Sequence, residues 1–315
     1  MSVEIEEKLQ KIPVLRNFVN WSKTVKLNWL EGLAFYDLLE LYIIGLTEGA
    51  LSNRAGAIAF SFFMALFPFA LFILNLIPFI PIEGFQDDFL KFVADGVPPN
   101  TFYAIKNIIN DILHNSHSGL LSSGFLLSVF LMANGLNAIL GGFENSKHVL
   151  VKRGFFHQYL VAVGLSLLLA VLLIVTVATI VVFEVFIQQL QSRDFLSDKI
   201  PLMVMGRYAF LILMILVTSS ILFKFGTKNQ ETRSFISIGS VFTTILTILT
   251  SYFFGVWVIR FAKYNELYGS IGTLLIVMFY IWINCMILLL GFELNEVIKK
   301  LKNRNEKQAV MENKL

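Results

Sequence analysis

The amino-acid sequence predicts an all-α fold, a polytopic membrane bundle of six transmembrane helices with an interfacial amino-terminal helix and short amphipathic helices in the first outer loop. Hydrophobic residues make up 56% of the 315 residues and charged residues only 15%, whereas soluble domains carry about 25% charge. The mean hydropathy is +0.72. The apolar runs far exceed the roughly 4 to 8 residues of a buried strand, and the period-two alternation of a membrane β-barrel is absent.

The apolar runs are long enough to cross a bilayer, because about 20 residues of helix cover the roughly 30 Å hydrocarbon layer. The clearest run starts at Tyr268 and holds no charge before Glu293. The six predicted spans are residues 57–80, 120–143, 159–187, 207–225, 235–259 and 268–294. They define a transmembrane domain at 57–295, which a basic cytoplasmic tail at 296–315 follows.

The segments outside the spans are predicted to be helical as well. The segment 1–56 is interpreted as cytoplasmic and interfacial, because its apolar stretch is interrupted by acidic residues, each of which costs a true span about 2.5 to 3.5 kcal/mol. In the outer loop 81–119, apolar residues recur at steps of three and four. That spacing predicts two short amphipathic helices, near 85–95 and 101–114.

Positively charged residues are shared unequally between the two faces of the predicted bundle. With spans that alternate in direction, 18 of the 25 Lys and Arg residues lie on the face that holds both termini and 7 on the other. Short loops rich in Lys and Arg stay in the cytoplasm. Both termini are therefore predicted to be cytoplasmic.

Polar residues inside the spans are candidates for a substrate pathway or gate, because they are costly in lipid unless they face the bundle or a cavity. In the second span, Asn134 and Asn137 either bridge neighbouring helices or line a polar path. In the fifth span, Thr243 and Thr247 share one helical face. In one interpretation, each hydroxyl bonds the carbonyl four residues earlier and the face packs against a neighbouring helix. In the other, the hydroxyls line a groove that contains water. Tyr252 completes the candidates of this span.

Three charged residues fall near the predicted outer ends of the spans, namely Glu184, Arg207 and Arg260. One interpretation is an interfacial ion pair that fixes the topology. The other is a gate or a site for an anionic headgroup, because a partly desolvated guanidinium binds phosphate in a fork geometry.

Catalytic and cofactor motifs are absent from the sequence. There is no GxSxG, no HExxH and no GxxxxGK[ST] phosphate loop. The single cysteine, Cys285, lies mid-span and excludes an internal disulfide or a thiolate metal site. His114 and His117 have HxxH spacing, but no carboxylate or Cys pattern completes a metal site. We therefore predict no enzyme, no metal and no cofactor, and the net charge of +3 is too small to indicate nucleic acid.

Two segments resemble the YihY/BrkB family of bacterial inner-membrane proteins. The stretch RAGAIAFSFFMALFPF, from Arg54 to Phe69, is similar to the opening signature of that family, and YGSIG…GFELN matches its last span. The similarity runs from about Asp37 to Ile298. The resemblance implies that seven positions of this sequence match recurring structural residues of the family: Pro68, Asn137, Arg153, Tyr268, Gly269, Gly291 and Glu293.

The resemblance implies a multi-pass envelope protein of the bacterial plasma membrane that handles lipid or lipopolysaccharide precursors. Family members were once labelled ribonuclease BN, but this sequence lacks the clustered carboxylates or histidines that a metal-dependent nuclease needs. The leading hypothesis is a transporter or flippase of a lipid-like or anionic amphiphilic substrate, and the alternative is a non-transporting membrane scaffold. Membrane lipids are the predicted partners, with a homo-oligomer and anionic lipid at the basic tail as secondary predictions.

Overall fold

The computed structural model contains six long helices in its described part, and these carry the fold. It describes residues 20–25, 35–36, 50–76, 86–87, 90–91, 94, 106–107, 109–110, 118–146, 149, 151–191, 200–228, 234–261 and 270–312. The helices are α1 (Ala50–Leu76), α2 (Ser118–Glu144), α3 (Phe155–Gln191), α4 (Ile200–Phe225), α5 (Ile238–Phe261) and α6 (Ser270–Glu312).

These helices confirm the predicted fold class, a polytopic helical membrane bundle, and no strand occurs among the described residues. Five segments are long and apolar enough to cross a membrane: Leu126–Glu144, Phe155–Ile180, Val204–Phe225, Ile238–Val258 and Leu274–Lys299. The remaining predicted span, 57–80, falls on α1 and on residues 77–80, which lie outside the described part. The number six therefore stays a prediction.

The six helices form a closed ring. Each helix packs against its neighbours in sequence, and α6 packs against α1 to complete the circle. Consecutive helices pair into three antiparallel hairpins, α1–α2, α3–α4 and α5–α6, and α6 also contacts α2. The starts of α1, α3 and α5 and the ends of α2 and α4 consequently meet at one end of the ring, which we name the charged end.

Burial is concentrated near the charged end. The buried side chains extend to Ser166 in α3, from Ser219 in α4 and to Thr244 in α5. Beyond these three points, in what we name the distal half, no described side chain of α3, α4 or α5 is buried. Because a helix rises about 1.5 Å per residue, the tightly packed layer spans only part of the roughly 30 Å that a hydrocarbon core measures.

Most of the predicted peripheral helices lie outside the described residues. Residues 20–24 are helical within the predicted segment 1–56, and Trp21 there contacts Phe35 edge to face at 6.1 Å. In the predicted outer loop 81–119, isolated residues such as 86–87 and 109–110 are helical. The interfacial helix and the two amphipathic helices stay predictions.

Candidate functional site

The charged end contains a carboxylate that joins three parts of the ring. Glu293 of α6 receives a hydrogen bond at 3.1 Å from Arg54 Nη2 of α1. Its second oxygen receives one at 2.6 Å from the hydroxyl of Ser146, just after α2. Arg54 also donates through Nη1 to the carbonyl of Gly142 at 2.8 Å, so α1, α2 and α6 are fixed together at this end.

Arg153 holds the end of α4. Its buried guanidinium, placed just before α3, donates to the carbonyls of Phe225, Gly226 and Thr227 at 2.9, 3.1 and 2.7 Å. The last carbonyls of a helix have no intrahelical partner and carry the negative end of its dipole. A guanidinium meets both needs because it is cationic and presents several donors in one plane. The backbone N–H of Arg153 donates to buried Glu144 at 3.2 Å.

Asn295 of α6 holds the start of α5. Its Oδ1 accepts from the N–H of Gly239 at 2.7 Å, and its Nδ2 donates to the hydroxyl of Ser237 at 2.9 Å. Ser237 and Ser240 exchange reciprocal backbone-to-hydroxyl bonds at 3.0 and 3.1 Å, which is a capping box with serine in both positions. The N–H groups of Gly239 and Ser240, in the first turn of α5, are thus satisfied by side chains.

These contacts follow one pattern. Within each hairpin the first helix starts and the second ends at the charged end, so the two helices are not consecutive in the chain there. There, a side chain joins them instead: Arg54 in α1–α2, Arg153 in α3–α4 and Asn295 in α5–α6. The charged end is therefore tied at three places.

Three phenylalanine rings meet inside the charged end. Phe143 of α2 stacks on Phe292 of α6 with centroids 4.2 Å apart and an interplanar angle of 12°. Phe223 of α4 lies 5.8 Å from Phe143 and 6.1 Å from Phe292. All three side chains are at most 2% exposed. We call these residues the phenylalanine cluster, and it joins every second helix of the ring.

Small residues allow α5 and α6 to approach closely beside this cluster. A Cβ on Gly291 would collide with the hydroxyl of Thr243 and lie 2.8 Å from the carbonyl of Gly239. A Cβ on Gly239 would in turn meet the Gly291 carbonyl and lie 2.6 Å from Asn295. Close backbone approach at small residues is a general way of packing membrane helices. Among the described residues, the buried Thr243 hydroxyl has no hydrogen-bond partner.

The distal half has few polar contacts between described residues. The hydroxyls of Ser251 in α5 and Tyr280 in α6 are hydrogen-bonded at 2.7 Å. The ring of Tyr280 lies 4.8 Å from that of Phe254, which also contacts Trp257 at 5.5 Å. Aromatic contacts thus keep α5 and α6 together in the distal half, where no described side chain of α3, α4 or α5 is buried.

The predicted polar candidates of the second and fifth spans occupy different surroundings. The side-chain oxygen of Asn137 accepts a hydrogen bond at 2.9 Å from Gln158 of α3, and this bond bridges α2 and α3. Asn134 is half-buried. Thr243 packs against α6, while half-buried Thr247 lies one turn further along. Tyr252 is 68% exposed, and nine residues of about 100° each place it opposite Thr243 on α5.

Of the three predicted outer charges, only Arg207 has a described side chain. Arg207 is half-buried near the start of α4, with its guanidinium 5.4 Å from the ring centroid of Tyr208. The side chains of Glu184 and Arg260 lie outside the described part. The charge-cluster hypothesis stays a prediction.

Of the residues implied by the family resemblance, most fall at or near helix contacts. Arg153, Gly291 and Glu293 lie at the charged end, and Asn137 bridges α2 and α3. Pro68 lies inside α1, and its carbonyl accepts from Ser128 of α2 at 2.7 Å. Tyr268 and Gly269 lie outside the described residues.

Sequence reasoning missed other members of the site. The sequence indicates Arg54 only as a positive charge and as the first residue of the stretch that resembles the family, and it indicates no role for Ser146, Asn295 or Gly226. A signal for Arg54 did exist, because an Arg at the start of an apolar run can cap the end of a neighbouring helix. Within the described residues, no group of three or more His, Cys, Asp or Glu side chains is placed to hold a metal ion.

The comparisons with known proteins show the family of the chain. Residues 43–314 match the family described as virulence factor BrkB. The chain belongs to this family. The BrkB match confirms the resemblance inferred from the two sequence segments and identifies a membrane protein. The chain is also 27% identical over 255 residues to the ribonuclease-like protein YfkH of Bacillus subtilis (strain 168), covering 79% of this chain and 90% of that protein. No solved structure is significantly similar to the chain.

Proposed function

We propose that this BrkB-family protein lies in the bacterial plasma membrane and moves a lipid-like or anionic amphiphilic molecule across the bilayer. The observation that carries the proposal is the unequal packing of the ring. Polar bonds and the phenylalanine cluster close the charged end, whereas in the distal half no described side chain of α3, α4 or α5 is buried. A ring that is closed at one end and loosely packed along α3, α4 and α5 at the other would give an amphiphile lateral access from the bilayer on that side.

The side chains of the distal half suit a molecule with both apolar and polar parts. Phe254, Trp257 and their aromatic neighbours offer apolar surface to acyl chains. The half-buried hydroxyl groups of Thr247, Ser251 and Tyr280 offer donors and acceptors to a headgroup. Ligand sites commonly combine a mostly apolar lining with a few placed polar groups.

The proposal places the charged end and both termini in the cytoplasm. Arg54, Lys152, Arg153, Lys224 and Lys228 all lie at this end of the ring, and the positive-inside rule keeps such residues on the cytoplasmic side. Labelling of tags on the two termini in intact cells and in permeabilised cells tests this orientation. Labelling of either tag in intact cells contradicts it.

The decisive experiment measures lipid movement in vesicles. Purified protein is reconstituted with fluorescent phospholipid, and an impermeant reductant is added outside. Protein-free vesicles lose only the signal of the outer leaflet, whereas vesicles with the protein are expected to lose inner-leaflet signal as well. Loss limited to the outer leaflet, with anionic as well as zwitterionic lipids, would contradict the proposal.

A matched pair of variants tests whether the distal half is the pathway. Tyr280→Phe removes the hydroxyl that bonds Ser251 between α5 and α6, and we expect it to lower the rate of lipid movement severalfold. Tyr252→Phe makes the same chemical change on the exposed face of α5 and is expected to leave the rate unchanged. Equal rates for both variants and the wild type would show that lipid does not pass here.

The proposal includes no hydrolytic step. The relative YfkH is named ribonuclease-like, and metal-assisted cleavage of a phosphodiester uses clustered ligands around one or two ions. Here the carboxylates of Glu144 and Glu293 are already bonded to the Arg153 backbone, Arg54 and Ser146. Purified protein with Mg²⁺ or Mn²⁺ is expected to leave labelled RNA intact. Cleavage that survives stringent purification would contradict this part.

A scaffold is the second candidate, because α6 continues as a helix to Glu312, beyond the predicted span. The basic residues of this extension, Lys299, Lys300, Lys302, Arg304 and Lys307, would each gain about 1 kcal/mol near an anionic membrane surface. A scaffold predicts no lipid movement by the wild type. It also predicts anionic lipid that copurifies with the protein and is lost when these residues are changed to Gln.

A further inference from the structure

The phenylalanine cluster lies on the axis of the helix ring. Its members come from α2, α4 and α6, which alternate with α1, α3 and α5 around the circle. Side chains of alternate helices can meet in one place only if they point into the ring. The three rings therefore fill the interior at the charged end.

The cluster lies at the edge of the packed layer, next to the bonded groups. Phe143 is the last residue but one of α2, and Phe223 is two residues from the end of α4. Glu293, which follows Phe292, holds Arg54 and Ser146. A Cβ on Gly226 would lie 2.6 Å from the Phe143 ring, so this ring is packed directly on the backbone that Arg153 binds.

From these positions we infer that the phenylalanine cluster is the inner gate of the transporter, closed in this structure and latched by the Arg54–Glu293–Ser146 contacts. The inference rests on the proposed function, because a gate presupposes a pathway. Aromatic rings suit this role because they close the axis of the helix ring by stacking. Their contacts are non-covalent, so the rings can separate when the gate opens. The latch depends on charge-assisted hydrogen bonds, which are strong enough to hold a closed state and can be exchanged for water.

The chain carries a natural reporter for such a gate. Cys285 is the single cysteine, is 7% exposed, and belongs to the same buried cluster as Leu289 and Phe292. Residues 285, 289 and 292 recur at steps of four and three and so share one face of α6. At about 1.5 Å per residue, the thiol lies roughly 10 Å from Phe292 toward the distal half.

The test measures labelling of Cys285 by a charged, membrane-impermeant thiol reagent added on the cytoplasmic face of inverted membrane vesicles. The closed wild-type protein is expected to react slowly. Phe292→Ala opens the cluster, and labelling is expected to rise severalfold. The matched control is Phe156→Ala, which removes an 86% exposed ring from the start of α3 at the charged end and is expected to leave labelling at the wild-type rate.

Two further variants guard against a folding defect. Phe292→Leu keeps most of the apolar volume but loses ring stacking, and Glu293→Gln weakens the latch without touching the rings. Each is expected to raise labelling if its thermal unfolding temperature in detergent stays close to that of the wild type. Folded variants whose Cys285 stays as protected as in the wild type would overturn the gate, as would an equal rise in the Phe156→Ala control.

Measurement of lipid movement in the same variants separates the gate from the proposed function. A labelling change without any lipid movement in wild type or variants supports an aqueous gate and removes the lipid as substrate. Lipid movement in the wild type without a labelling change supports transport and removes the gate.

Discussion

Glu293 shows how a single side chain can organise this ring. Its two oxygens accept from Arg54 and Ser146, and the side chains of Arg54 and Glu293 are only 19% and 15% exposed. A partly buried carboxylate is unfavourable unless charge-assisted bonds compensate for its lost hydration. Removal of either partner therefore leaves a group that is costly to bury.

A double-mutant cycle measures this coupling. Arg54→Gln, Glu293→Gln and the double variant are compared by the free energy of unfolding in detergent. We expect a coupling energy of about 0.5 to 3 kcal/mol, the range for residues in direct contact. Additive losses would show that the ion pair contributes nothing to stability.

Gly291 tests the close approach of α5 and α6. A Cβ at this position collides with Thr243 and the backbone of Gly239, so Gly291→Ala is expected to lower stability by about 1 to 3 kcal/mol, as overpacking does. Gly255→Ala is the matched control, because its Cβ would meet nothing within 4 Å. That control should be neutral or slightly stabilising, since Ala favours helix more than Gly. Thermal unfolding followed by circular dichroism separates the two.

At the scale of the element, the helix ends decide how the ring is closed. The carbonyl of Phe225, the last residue of α4, and those of the two residues after it accept from Arg153. The Gly142 carbonyl near the end of α2 accepts from Arg54. The start of α5 is satisfied by Asn295 and by its own serines. Buried helix ends need such partners because their terminal backbone groups cannot bond within the helix.

Arg153→Lys tests whether geometry or charge holds α4. An ammonium keeps the charge but cannot reach three carbonyls through one planar fork, so we expect a loss of about 1.5 to 3 kcal/mol in unfolding free energy. The control is Lys152→Ala at the exposed neighbour, whose bond to Asn145 spans 3.0 Å; it should change stability by less than about 0.5 kcal/mol. A loss as small as that of the control would contradict the capping role.

The helices could be predicted from the sequence because their cause is local. Apolar runs such as 159–187 are too long for strands, and the predicted range falls within α3. The ends of the helices are harder to predict from the sequence, since α6 continues to Glu312, well past its apolar part. Hydropathy gives the end of a span, but it does not give the end of a helix that continues into water.

The contacts of the candidate site could be predicted only in part, because they are non-local. Arg54 and Glu293 are 239 residues apart in sequence, and nothing near Arg54 in the chain indicates that partner. Arg153, Gly291 and Glu293 were singled out by family resemblance, without their physical roles. For Asn137 the residue type allows a bridge or a pathway, and nothing in the sequence indicates Gln158 as the partner that it bonds.

For the whole molecule, unequal burial implies unequal rigidity. Tight packing around the phenylalanine cluster restricts the motion of the helices at the charged end. In the distal half, by contrast, no described side chain of α3, α4 or α5 is buried. Regions with few buried contacts open at low free-energy cost.

Spin-label distances test this difference in a Cys285→Ala background. A distal pair on α3 and α5, Leu173 and Leu249, is expected to give a broader distance distribution than a charged-end pair, Leu160 and Ile236. All four positions are exposed, so the labels should disturb packing little. Equally narrow distributions would show that the ring is uniformly rigid and would weaken the case for a mobile pathway.

The order in which the chain is synthesised gives the position of Glu293 and Asn295 a further meaning. Both residues are in the last helix, yet they bind the beginnings of α1 and α5. Membrane helices emerge from the ribosome in sequence order. Arg54 therefore cannot pair with the Glu293 carboxylate until nearly the entire polypeptide has been translated. A chain that stops before residue 291 lacks both of these partners, and it should be recognised and degraded by membrane proteases.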